Sequence, residues 1–215
     1  MFSRGRLFTM NVALIRPMSL ESFLAWETGQ ELRHEFDGLR PLAMTGGTAA
    51  HARIQRNLAF ALHGRLRGKP CEFLGNDIRV LTAMTSRYPD GLVTCTQPDN
   101  ELTSVPEPVV IFEVLSRSTA STDHITKNGE YASIPSVQRY VMLEQERIGA
   151  TVFSRSEAGW KGDVLADDAI LVMPEIGIEL PLAELYEGLD FSIDKNLSEE
   201  GGQGRAASSM DEASQ

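Results

Sequence analysis

Apolar positions in this chain recur at two different periods, and the periods divide it into helices and strands. Between Ala49 and Leu66, the residues Ile54, Leu58, Ala61, Leu62 and Leu66 return at helical spacing, which predicts a helix ended by Gly68 and Pro70. Ser19 is a candidate N-cap for a shorter helix through Trp26, with Glu21 near its positive end. The run LRHEFDGLRPLAM reads as two short strands about Asp37-Gly38, a dipeptide suited to a hairpin turn. Further strands are predicted at about 71–81, 91–96 and 108–115. The last of these, PVVIFEVL, is almost unbroken in its apolarity, as expected of a strand covered on both faces. Capping residues crowd 116–122 and predict a helix from there to about Ile134, after which QRYVML reads as another buried strand. Short apolar segments (ATVFSR, GDVL, AILVM, IEL) then alternate with turns up to PLAELYEGL. Helix, three strands, helix, strand is an α/β order, a mixed α+β sheet flanked by helices.

The chain length, 215 residues, suits one domain with a single core. That domain is expected over 18–190, after an N-terminal extension (1–17) and before a tail (191–215). From Ser198 onward large apolar groups are nearly absent, so the tail cannot offset its ordering entropy and is expected to be disordered. No stretch of apolar residues is long enough to span a membrane. Asn11 and Arg16 interrupt the modest apolar run near the N-terminus, which reads better as an upstream start, with Met10 or Met18 as alternatives, than as a secretory signal. Two lone cysteines, Cys71 and Cys95, are too few for a disulfide framework and match no zinc spacing, so a reducing, cytoplasmic setting is expected.

A net charge of −10 argues at first against a polyanionic partner, but the charge is unevenly placed. Residues 1–80 carry +4 and the remainder −14. No acidic residue lies between Thr48 and Pro70, where Arg53, Arg56, Arg65, Arg67 and Lys69 fall. Such a stretch can hold phosphates, although most basic helices are simply solvated.

Glu113 is the most informative single residue. It sits in VVIFEVL, a window otherwise wholly apolar, where an unpaired carboxylate costs several kcal/mol, roughly, and so must find a cation or a proton. Alternation puts Val109, Ile111, Glu113 and Leu115 on one face and Val110, Phe112 and Val114 on the other. Asp90 begins the preceding predicted strand. Alone, Pro89-Asp90-Gly91 is a turn signal, but two carboxylates near the ends of neighbouring strands are what a hard divalent cation needs. Lys127, Tyr131 and Ile134 share a helical face that would aim the Lys127 ammonium at the strand ends; a surface pair of Lys127 with Asp123 is the competing reading.

Taken in order, Glu35 in HEFDG, Pro89-Asp90, Glu113-Val114-Leu115-Ser116, Asp123 and Lys127 resemble the Uma-type restriction-endonuclease family of bacteria, within the PD-(D/E)XK superfamily. The likeness runs from about Met18 to Leu189 and includes AHARIQRNL and IPSVQRYVMLEQ. It implies a restriction-endonuclease-like αβββαβ core with additional C-terminal strands. It also implies that Asp90, Glu113 and the Val114 carbonyl bind Mg²⁺, with Mn²⁺ as an alternative. The superfamily's usual lysine would fall at Leu115; the family takes it from the next helix, where Lys127 stands. Glu35 would hold a water or complete the site, and His51 matches a frequent family histidine, a candidate for binding nucleic acid, with a hydrogen-bonded structural histidine as the alternative. Arg53 and Arg56 would hold flanking phosphates. The resemblance thus implies metal-dependent hydrolysis of DNA, with no membrane partner and with a homodimer compatible. Two alternatives remain open at this point: a non-catalytic nucleic-acid or metal-binding module of the same fold, and a metal-dependent hydrolase of another phosphoester. Arg117, Gly91 and Leu92 depart from the family pattern without removing a proposed ligand.

Overall fold

The apolar run at 108–114 forms an interior strand of a mixed six-stranded sheet. The computed structural model describes residues 18–44, 46–116 and 123–191, apart from the side chains of Asp123 and His124; the proposed extension and most of the proposed tail lie outside them. In chain order the elements begin with α1 (Leu20–Glu27), the hairpin β1 (His34–Phe36) and β2 (Pro41–Ala43), and α2 (Ala49–Leu66). Strands β3 (Glu72–Gly75), β4 (Val80–Leu81), β5 (Ser86–Arg87), β6 (Gly91–Thr94) and β7 (Pro108–Val114) follow. A π-helical turn (Asp123–Lys127) then runs into α3 (Asn128–Ala132) and β8 (Arg139–Leu143). The remaining strands are β9 (Gly149–Ser156), β10 (Gly159–Ala166), β11 (Ile170–Met173) and β12 (Ile178–Pro181), with short 3₁₀ turns at Pro174–Ile176 and Leu182–Tyr186.

The large sheet has the order β10-β9-β8-β7-β6-β3. Only β7 and β8 pair in parallel, and the crossover between them carries α3. Val110, Phe112 and Val114 join the core under α2, together with Ile54, Leu58, Leu62 and the β11–β12 hairpin. Ile111 and Leu115 join Tyr131, Tyr140 and Met142 on the opposite face. Alternation therefore sorts β7 as expected, except at Val109. The β6–β7 register shifts at Val93/Thr94 and passes over Val109, which turns to the α2 side. The expected mixed sheet flanked by helices is observed.

Three expectations are corrected. The strand expected over 71–81 is broken at Asn76-Asp77, where the chain leaves β3 for a second sheet of order β2-β1-β5-β4. The helix expected from 116 to about Ile134 is, over the described residues, a π turn followed by a short α-helix. Cys71 and Cys95 are joined in a disulfide. The β3–β6 register pairs Glu72 with Thr94, so one further step sets the two cysteines opposite each other. The cysteines accordingly no longer argue for a reducing compartment. Among the described residues no helix is long and apolar enough to cross a membrane.

Candidate active site

Register brings the two candidate carboxylates together. Strands β6 and β7 are antiparallel, with Gly91 opposite Phe112, so the next step sets Asp90 opposite Glu113 at one edge of the sheet. Asp90 is held there from two sides. Its Oδ2 accepts from the Val114 N–H at 2.6 Å, and its Oδ1 accepts from Gln55 Nε2 at 2.6 Å. His51 Nε2 lies 3.3 Å from Oδ2. His51 and Gln55 are one turn apart near the start of α2, which Thr48 caps by accepting from the His51 N–H. Burial works against the charged imidazole, but the Asp90 hydrogen bond and charge, helped by Gln55, prevail and raise its pKa.

Glu113 is supported from the other face. Its Oε1 accepts from Lys127 Nζ at 2.9 Å and from Tyr131 Oη at 3.0 Å. Burial, reinforced by the Glu113 charge, pushes the Tyr131 phenol well above its ordinary pKa, so it remains a donor. Lys127 Nζ is also 3.4 Å from Glu35 Oε1. The π turn ends at Lys127, and such turns occur often at functional sites. The pair with Asp123 concerns a side chain outside the described residues; the recorded partners of Lys127 are Glu113 and Glu35.

A third layer fixes Glu35. Its Oε1 accepts from the Tyr88 N–H at 3.1 Å and its Oε2 from Arg87 Nη1 at 3.1 Å. Arg87, only 1% exposed, also grips Glu130 with Nε and Nη2, each at 2.7 Å. Burial alone would lower the arginine pKa, but the Glu130 hydrogen bonds and the two carboxylate charges raise it, so the guanidinium stays charged. Strand β5 thus delivers Arg87 to Glu35 and, three residues later, Asp90 to the large sheet.

Glu35, Glu113 and Glu130 are linked to two basic side chains, Lys127 and Arg87, while Asp90 has His51 beside it. Carboxylates thus gather at neighbouring strand ends, where hard oxygen donors suit a divalent cation. Among the described residues no group of three or more His, Cys, Asp or Glu side chains could hold a metal. The expected donors, two carboxylates and the Val114 carbonyl, are an oxygen set of the kind that suits Mg²⁺, which retains several waters. Strand alternation turns the polar groups of Val114 away from β8. Leu115 N–H donates to Leu143 O on the β8 side at 2.8 Å, whereas the polar groups of Val114 leave toward Asp90. The next carbonyl, that of Leu115, is occupied by Gln145 Nε2 at 2.6 Å, and Gln145 Oε1 in turn accepts from the Thr48 hydroxyl.

Of the residues singled out in the sequence, Glu35, His51, Asp90, Glu113, Val114 and Lys127 converge. Arg53 and Arg56 do not; both are exposed on the outer side of α2. Sequence reasoning missed Arg87, Glu130, Gln55 and Gln145, and it read Tyr131 only as packing. Two signals were present: Gln55 lies four residues after His51, and Arg87 stands just before Tyr88-Pro89-Asp90.

Residues 20–183 match the Uma2 family, described as "Putative restriction endonuclease". Two proteins of Synechocystis sp. (strain ATCC 27184 / PCC 6803 / Kazusa), both described as uncharacterized, are similar. One, slr1290, is 29% identical over 178 residues, covering 81% of this chain and 94% of its own length. The other, sll1609, is 30% identical over 141 residues, covering 63% and 80%. A crystal structure from Anabaena variabilis ATCC 29413, described as a putative nuclease belonging to DUF820, shares the fold. Its TM-score is 0.64 at 15% identity, covering 79% of this chain and 98% of that one.

Proposed function

The chain belongs to the Uma2 family, and from that premise we propose that it is an Mg²⁺-dependent endonuclease that hydrolyses phosphodiester bonds in DNA. The observation that carries this reading is the placement of Asp90 and Glu113 opposite each other at neighbouring strand ends, with Lys127 Nζ 2.9 Å from Glu113. Asp90, Glu113 and the Val114 carbonyl would hold the metal. When bound, Mg²⁺, or Mn²⁺ in its place, would polarise the scissile phosphate and make a water more acidic.

The chain's own residues do the rest. Gln55 and the Val114 N–H fix the Asp90 carboxylate, with His51 beside it. Tyr131 orients Glu113. Lys127, between Glu113 and Glu35, stabilises negative charge developing on the phosphate. Glu35, held by Arg87 and the Tyr88 N–H, is placed to orient a water. Arg53 and Arg56 hold phosphates outside the site without reading sequence.

Plasmid, single-stranded DNA and RNA, each incubated with Mg²⁺, Mn²⁺ or EDTA, test the reading. Cleavage of DNA should require the divalent ion and vanish in Glu113→Gln and in Asp90→Asn. Both variants should remain folded, and both should lose Mn²⁺ binding by calorimetric titration. Undiminished binding in either would remove that residue from the ligand set, and cleavage in EDTA would sink the metal dependence.

A further inference from the structure

The outer face of α2 combines three features. Arg53, Arg56, Phe60, His63 and Arg67 follow one another at spacings of three and four, and all are exposed. They form one stripe, turned away from the core residues Ile54, Leu58, Ala61 and Leu62. The helix itself contributes no carboxylate to it, since none occurs between Thr48 and Pro70, and Glu146 and Asp190 come near only its Arg53 end. Arg53, Arg56 and Arg67 make no ion pair among the described residues, unlike Arg65, which is bound to Glu184.

Phe60, in the middle of the stripe, is 86% exposed and is the only aromatic among the large exposed apolar side chains of the described residues. A lone exposed apolar residue means little by itself. Its setting among unpaired cations is what calls for a ligand. The stripe is also braced: Arg56 donates to Asn57 Oδ1 through Nε (3.2 Å) and Nη2 (2.9 Å). Asn57 in turn donates to the carbonyls of Leu185 and Glu187.

We propose that this face is a binding site for single-stranded DNA, with phosphates along Arg53, Arg56 and Arg67 and an unpaired base stacked on Phe60. Cationic tracks with an aromatic platform bind single strands because every base has a π-face, whereas a duplex keeps its bases stacked inside. A second copy of the chain is a poor occupant. Self-association centred on Phe60 would set Arg56 and Arg67 of one copy against the same cations of the other. His51 stands beside Asp90 near the start of α2, and Phe60 lies about 13 Å further along the helix axis at 1.5 Å per residue and on the opposite side of the helix, so the stripe is a surface separate from the carboxylates.

This inference rests on the nuclease reading for its choice of DNA but not on cleavage, so binding is measured in EDTA. Fluorescence anisotropy with labelled oligothymidylate and with a duplex of equal length separates the two substrates. Phe60→Ala should weaken oligothymidylate binding about tenfold and leave the duplex nearly unchanged, in line with stacking on one aromatic. Phe60→Trp should restore binding, with its emission quenched on complex formation. Arg53→Ala and Arg56→Ala should each reduce the salt dependence of single-strand binding by about 0.7 in slope. Unchanged oligothymidylate affinity in Phe60→Ala would overturn the proposal, as would an equal loss on duplex. So would a dimer in solution that Phe60→Ala converts to monomer. If Glu113→Gln abolishes cleavage while the stripe variants bind as wild type, this inference fails and the nuclease reading stands. If the stripe variants lose binding while no divalent ion supports cleavage, the reverse holds.

Discussion

Replacing Arg87 with Met keeps most of its aliphatic bulk and removes a guanidinium that serves two carboxylates. Glu130 loses two hydrogen bonds of 2.7 Å and Glu35 loses one of 3.1 Å, while both side chains are only 14% exposed. Removing one partner of a buried ion pair costs about 3–5 kcal/mol, because the orphaned charge is left in poorly solvated surroundings. For a chain of this size each kcal/mol moves the melting temperature by about 2–4 °C, so Arg87→Met should melt about 6–20 °C below wild type. The charge argument makes a second, sharper demand. In Arg87→Met with Glu130→Gln the more strongly orphaned carboxylate is neutral, while Glu35 keeps the Tyr88 N–H and Lys127. That double variant should recover more than half of the lost stability. Thermal denaturation followed by circular dichroism measures both. A single variant melting within about two degrees of wild type would refute the reasoning. A double variant no more stable than the single would show that lost packing, not the orphaned charge, is responsible.

Lys127→Ala should slow DNA cleavage by about 10²–10³-fold in single-turnover assays at saturating Mg²⁺, the usual loss for an electrostatic stabiliser. Mn²⁺ affinity should not fall, since an ammonium does not ligate a cation. Adding Leu115→Lys should restore part of the rate, because position 115 shares a strand face with Glu113; a wild-type rate in Lys127→Ala would end the assignment. Reducing the Cys71–Cys95 bond, or replacing both cysteines with serine, should cost on the order of 3 kcal/mol from the loop of 24 residues it closes, a drop of about 10 °C in melting temperature. Identical melts with and without reductant would show that the bond does not constrain the unfolded chain.

Elements with long periodic patterns were legible without coordinates. Helix α2 occupies the span that its apolar spacing predicts, and the same five residues are buried. The faces of β7 were legible from alternation from Val110 onward, and only Val109, which the β6–β7 register shift passes over, departs from it. What could not be read depends on pairing. Strands β4 and β5 have two residues each and are ordered by their neighbours β1 and β5, so neither carries a period of its own. Arg87, on β5, therefore carries no local signal that it is among the most deeply buried side chains. The disulfide was hidden for the same reason: it follows from the β3–β6 register and from nothing local to either cysteine. Tyr131 was placed correctly on the inner face of its helix, but spacing cannot tell whether a phenol packs or donates.

The layered support of Glu35 accounts for a lysine supplied from a helix and not from the strand. A lysine at position 115 would reach Glu113 from its own strand and would have to share that carboxylate with any bound cation. Lys127 approaches between two carboxylates, 2.9 Å from Glu113 and 3.4 Å from Glu35. When a cation engages Glu113, the ammonium keeps Glu35 as its partner and is not left buried and uncompensated, which would cost several kcal/mol, roughly. Glu35 can serve in that way only if it does not collapse onto the lysine. Arg87 holds its other oxygen, Oε2, and the Tyr88 N–H shares Oε1 with the lysine. Leu115, free of any charged role, packs with Tyr131, the residue that orients Glu113. The apolar residue at 115 and the arginine at 87 are thus two parts of one arrangement, which keeps a carboxylate beside Lys127 whether or not Glu113 is engaged.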